Sequence, residues 1–150
     1  MTAIDRRRRK VLAGLAALAV VRPAAATPEE MAAAIKAFTD GAAPRQGRVR
    51  LDVASLVDNG NTVPVTVRVD SPMTAADHVA AIAIFNERNP ETGIAVFTLG
   101  SRAGKAEVST RIRMATSQKL VAVARMSDGS CWMHSVDVVV ALAACIEGEA

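Results

Sequence analysis

The chain has 150 residues, a formal net charge of +3, 51% hydrophobic residues and only 3% aromatic ones. Its basic excess is concentrated in residues 1–26, and the 124 residues that follow carry 12 basic and 14 acidic side chains. A net charge of about −2 on that part removes the main support for nucleic-acid binding, and its length suits one domain with its own core.

The first segment is a basic head, Arg6-Arg7-Arg8-Arg9-Lys10, then an apolar run over residues 11–21, then Ala24-Ala25-Ala26. The run is too short to span a bilayer comfortably. Basic head, apolar run and small-residue cleavage pattern read as an export signal over residues 1–26. Arg8-Arg9-Lys10-Val11-Leu12 fits a twin-arginine spacing. The expected destination is a bacterial periplasm, and residues 27–150 are the expected domain.

Thr27-Pro28-Glu29-Glu30 predicts a helix start, with Thr27 as N-cap, Pro28 at the first helical position and Glu30 closing a capping box. Met31, Ala34, Ile35 and Phe38 then share one face, and Gly41 is a candidate C-cap. Beyond a loop over residues 41–47 the period changes from 3.6 to 2. Val49, Leu51 and Val53 alternate with polar residues, as do Val63, Val65, Val67 and Val69. Asp58-Asn59-Gly60-Asn61 predicts a turn between these strands. Pro64 lacks a donor, which predicts an edge position or an irregular start. Arg45, Arg48 and Arg50 read as a solvated strand face.

Residues 79–85, apolar throughout, predict a central strand, and 94–99 another. Val108, Thr110, Ile112 and Met114 alternate, and residues 120–124 follow as a strand. Ser127-Asp128-Gly129-Ser130 is a hairpin signal. Residues 132–142 form the last predicted strand, with Trp132, His134, Val136, Val138, Val140 and Leu142 on one face. About seven strands after one short N-terminal helix predict an all-β, immunoglobulin-like antiparallel β-sandwich. So few aromatic residues suggest a partner that shares in covering apolar surface.

Groups able to carry chemistry are few: His78, His134, Cys131 and Cys145. No nucleophile elbow, phosphate-binding glycine loop or HExxH motif is present. Cys131-Trp132-Met133-His134 offers copper-type ligands, but on a strand Cys131 and His134 point to opposite faces, so packing is the preferred reading. Two exported cysteines ordinarily suggest a disulfide. Here a continuous strand between them would hold them too far apart. Cys145, three residues past the last strand, is the better-placed reactive thiol.

Asp58-Asn59-Gly60-Asn61-Thr62-Val63-Pro64-Val65-Thr66-Val67 and Asp70-Ser71-Pro72-Met73 resemble the SoxY family of bacterial thiosulfate oxidation. So do residues 79–85 with Asn89-Pro90, Ser109-Thr110-Arg111-Ile112-Arg113, and Ser127-Asp128-Gly129. The resemblance implies a sandwich paired with a SoxZ-like subunit. It also implies that Cys145, on a C-terminal arm, holds sulfur intermediates covalently. Partner enzymes of the Sox pathway would act on that cargo: a cytochrome, a sulfate-releasing hydrolase and a sulfane dehydrogenase. The carrier itself would be no enzyme and would need no cofactor or metal. The family's arm ends Gly-Gly-Cys-Gly-Gly, whereas this chain has Ala143-Ala144-Cys145-Ile146-Glu147-Gly148. That departure leaves a second reading, an immunoglobulin-like binding subunit without carrier chemistry. A third, Cys131 and Cys145 cycling as a redox pair, requires a tail that folds back.

Overall fold

The computed structural model describes residues 25–142. Its helix α1, Pro28–Phe38, starts as the sequence predicts. The Glu30 amide donates to Thr27 Oγ1 at 3.2 Å, and the Thr27 amide donates to Glu30 Oε2 at 3.0 Å. The C-cap is Thr39; Asp40 and Gly41 follow in left-handed conformations, and the Gly41 amide donates back to the Lys36 carbonyl. Just before the helix, Ala26 is buried and its amide donates to the Asn89 carbonyl at 2.9 Å.

Among the described residues nine strands follow: β1 Arg45–Gln46, β2 Val49–Asp52, β3 Leu56–Asn59, β4 Val63–Val69, β5 Val79–Asn86, β6 Gly93–Thr98, β7 Glu107–Ile112, β8 Gln118–Met126 and β9 Cys131–Leu142. The larger sheet runs β1-β9-β8-β5-β6, with β3 also on β9; the smaller runs β2-β4-β7. Main-strand pairings are antiparallel. The expected all-β, immunoglobulin-like sandwich with one short helix is therefore the fold.

Its edges add to the expectation. Short β1 and β3 both pair parallel with β9, one near each end of it. Asp58 and Asn59, expected in a turn, belong to β3, and the turn is confined to residues 60–62. Parallel partners on β9 supply ladder bonds that local propensity does not signal. Pro64 lies in the middle strand of the smaller sheet, not an edge strand. The β2 ladder reaches only Thr66, however, so Pro64 pairs with Arg111 of β7 alone, and its strand is a local edge there.

The core lies between the sheets. Val63, Val65, Val67 and Val69 of β4 are buried, alternating with outward Pro64, Thr66 and Arg68. They meet Ile82 and Ile84 of β5 and Leu120, Ala122 and Ala124 of β8. Fully burying a valine contributes roughly 1.5–3 kcal/mol, so this one alternating strand is a large share of the driving force. On the other face of the larger sheet, α1 covers Ala83, Phe85, Val121 and Val123 with Met31, Ala34, Ile35 and Phe38. Phe38 meets Phe85 edge-on, centroids 5.9 Å apart. Both faces of β5 and β8 are thus covered, which explains why they read as unbroken apolar runs rather than alternating ones.

Candidate functional site

Strand β9 carries the chain toward Cys145, and its two faces divide the candidate residues. Trp132, Val136, Val138 and Val140 pack toward the inter-sheet core. His134 shares that face: its Nδ1 accepts the Leu51 amide of β2 at 3.1 Å. Met133, on the opposite face, joins the cluster beneath α1. The copper-type run is therefore split across the sheet, as strand geometry requires. Among the described residues no group of three or more His, Cys, Asp or Glu side chains is placed to hold a metal ion.

Cys131 is a free, buried thiol at the start of β9. Burial pushes its pKa up; Arg125 opposes that, while Asp40 and Asp128 reinforce it. A raised pKa and a closed surface make a poor nucleophile. Strand β9 runs unbroken for 12 residues, about 36 Å at the usual rise. Cys145 lies outside the described residues, three positions past Leu142. Three residues reach at most about 10 Å, so the two thiols cannot approach bonding distance while β9 is intact.

The described structure fixes the root from which Cys145 is carried. Beyond Val138, β9 outruns β8, whose ladder begins at the Gln118–Val138 pair. The projecting segment is held from both sides. Leu56 pairs with Val139, Val57 with Val140 and Asn59 with Leu142. The Val139 amide donates to the Ser55 carbonyl at 2.8 Å and the Val140 amide to Ser117 Oγ at 2.9 Å. Asn59 Oδ1 caps the Asn61 amide, and Asn61 Oδ1 in turn accepts from Arg113 Nη2. The Met114 amide donates to the Gly60 carbonyl, closing the same end of the sandwich. These supports hold β9 to the large sheet as far as Leu142.

This end of the sheet is apolar on one side. Leu56 is 63% and Val139 54% exposed, neighbours in register on adjacent strands. Beside them an open groove of about 550 Å³ runs along Leu51, Val53, Ala54, Leu56, Val57 and Pro64. Beyond the Leu56-Val57 apolar pair, β3 carries no local strand signal, so this surface and the two-sided hold on β9 are not legible in the sequence.

The three arginines expected on a solvated face have separate fates. Arg45 stacks 4.1 Å above the Trp132 ring, with Arg48 5.9 Å from it. Arg48 also donates to the Asp70 carbonyl and pairs with Asp77. Arg50 is exposed on β2 and pairs with Asp52, while Arg45, though stacked, is also exposed on β1.

A family model described as "Sulfur oxidation protein SoxY" matches residues 35–145. No curated protein sequence matches the chain. Among solved structures, the sulfur carrier protein SoxY from Chlorobium limicola f thiosulfatophilum is similar at 29% identity and a TM-score of 0.63, covering 76% of this chain and 98% of that one. A superoxide reductase (neelaredoxin) from Ignicoccus hospitalis is similar at 13% identity and TM-score 0.57, covering 77% and 94%. A putative superoxide reductase from Thermotoga maritima is similar at 16% and 0.55, covering 69% and 89%. At such identities the two reductases share the fold alone.

Proposed function

The chain belongs to the SoxY family, and from that membership we propose that it is a carrier of sulfur intermediates, held covalently on the Cys145 thiol. The observation that carries the proposal is the extent of the family match, which runs to residue 145 and so includes the cysteine. The rigid root at Leu142 and the exclusion of Cys131 as a competing or pairing thiol support it. Strand β9 is clamped by Ser55, Ser117 and β3 up to Leu142.

The chemistry suits a tether. The Cys145 thiolate and the outer sulfur of thiosulfate join in a sulfur–sulfur bond, and the two electrons released pass to a partner cytochrome. Water then cleaves the sulfur–sulfonate bond on a partner hydrolase, releasing sulfate and two protons and leaving a persulfide on Cys145. A sulfane dehydrogenase then oxidises that outer sulfur to the sulfonate level. Water supplies the oxygens, protons leave to solvent and the electrons pass to that enzyme's electron acceptor. A second hydrolysis frees sulfate and restores the Cys145 thiol. The carrier supplies the thiol and no other group. Sulfur–sulfur bonds are made and broken by thiolate attack under mild conditions, which is what reversible loading needs. Export through a twin-arginine leader over residues 1–26 to the periplasm, and pairing with a SoxZ-like subunit, complete the reading.

One feature favours the second reading, a binding subunit without carrier chemistry. Ala143, Ala144, Ile146 and Glu147 stand where the family's arm has glycine, and they narrow its conformational freedom and add bulk. Intact-mass measurement on protein from thiosulfate-grown cells, wild type beside Cys145→Ser, separates the two.

A further inference from the structure

The outer face of the smaller sheet is charged unevenly. Side chains alternate along its strands, so Arg50 of β2, Arg68 of β4 and Arg111 of β7 point away from the core, and all three are exposed. Lys105 and Arg113, also exposed, flank the two ends of β7. The acidic side chains on this face are Asp52 and Glu107. Five of the 12 basic side chains in residues 27–150 thus lie here, against two of the 14 acidic ones. A merely solvated face intersperses both signs, and the rest of the domain is correspondingly acidic.

The two acids are already occupied. Asp52 pairs with Arg50 and Arg68, and Glu107 with Arg68 and Lys105. Arg111 has no ion pair among the described residues, and beside it a shallow hollow of about 440 Å³ is lined by Pro64, Thr66 and Ser109. Arg113 reaches only the neutral Asn61 Oδ1. The uncompensated positive charge therefore collects at one end of the sheet. That is the end where β9 finishes, since Asn59, two residues from Asn61, pairs with Leu142. None of the exposed large hydrophobic residues lies on this face, and it carries no aromatic side chain on which a nucleic-acid base could stack.

We propose that the outer face of the smaller sheet, centred on Arg111 and Arg113, docks an acidic surface on the enzymes that receive the C-terminal thiol. The identity of those partners rests on the carrier reading above. Without an apolar contact the face acts by steering: it raises the rate of encounter and orients the Leu142 end toward the partner, and salt weakens it.

The test measures binding of the mature Cys145→Ser protein, purified with whatever subunit accompanies it, to the cytochrome that loads thiosulfate. Serine removes the covalent link, so the signal is docking alone. At about 20 mM salt, where charges act over about 20 Å, the expected result is a measurable complex. Adding Arg111→Glu and Arg113→Glu weakens it at least about tenfold, through slower association. Arg111→Gln, which removes one charge and adds none, weakens it less. Lys36→Glu, an exposed charge reversal on α1 across the sandwich, leaves it within about twofold. At about 0.5 M salt the Debye length falls to about 4 Å, and the variants converge. Circular dichroism checks that each variant is folded. Binding that ignores the double reversal at low salt overturns the proposal. So does the lack of any complex, release of the accompanying subunit by the reversal, or equally tight binding of a short DNA duplex by the same face. The carrier reading fails separately: an unloaded Cys145 in the wild-type chain overturns that reading, while charge-sensitive binding still upholds the face.

Discussion

The Leu51 amide and the His134 imidazole meet at 3.1 Å, and that single bond ties the edge strand of the small sheet to β9 of the large one. Leu51 is 3% exposed, so water is a poor substitute partner. His134→Phe keeps the ring's bulk and removes the acceptor. An unsatisfied buried amide costs about 1–3 kcal/mol. Chemical denaturation is expected to show a loss in that range, with His134→Gln, which retains an acceptor, losing less. Equal stability of wild type and His134→Phe would contradict the assignment.

Cys131 is expected to be silent. Its buried, high-pKa thiol resists alkylation in the native protein and becomes reactive only on unfolding. Mass spectrometry after native treatment with a maleimide should find one label, on Cys145. Two labels under native conditions would show that β9 opens at its start.

Acid sensitivity has a definite source. The side-chain hydrogen bond from Arg50 holds the Asp52 carboxyl below its ordinary value, and one from Arg68, then Lys105, does the same for Glu107. A carboxyl whose folded pKa is depressed stabilises the fold at any pH above its unfolded value. The contribution disappears as pH falls from there through the folded value. The window therefore opens at about pH 4–4.5 and extends downward. Arg68 bonds both carboxylates. In Arg68→Met the urea midpoint should fall less steeply between pH 5 and 2 than in wild type, and parallel slopes would refute this origin.

The chain has one tryptophan, which makes its fluorescence a local reporter. Arg45→Ala removes the guanidinium stacked on Trp132 and should change the emission while costing about 0.5–1 kcal/mol or less. Arg48→Ala should cost more. It also removes the bond to the Asp70 carbonyl and the pair with Asp77.

These contacts show which parts of the structure local sequence can specify. The alternating valines of β4, the Thr27 capping box and the turn at Asp128-Gly129 each specify their element from neighbouring residues, and all three are present. Strand β3 could not be read in that way. Two of its four residues are turn formers, and its stability comes from a partner strand some 80 residues away. The Arg45–Trp132 stack joins residues 87 positions apart and is equally silent in a local window. Cys145 rests on a different kind of signal, a thiol placed after the last strand in a chain with little other chemistry, and it lies outside the described residues. The structure adds the fixed root at Leu142 and the reason Cys131 does not compete.

The most direct measurement is the intact mass of the mature protein purified from cells oxidising thiosulfate, with peptide mapping of the C-terminal segment. The account predicts a ladder of sulfur-containing adducts, located on Cys145, removed by thiol reductant and absent in Cys145→Ser. An unmodified Cys145 in cells that are actively oxidising thiosulfate, or adducts that persist in the serine variant, would contradict it.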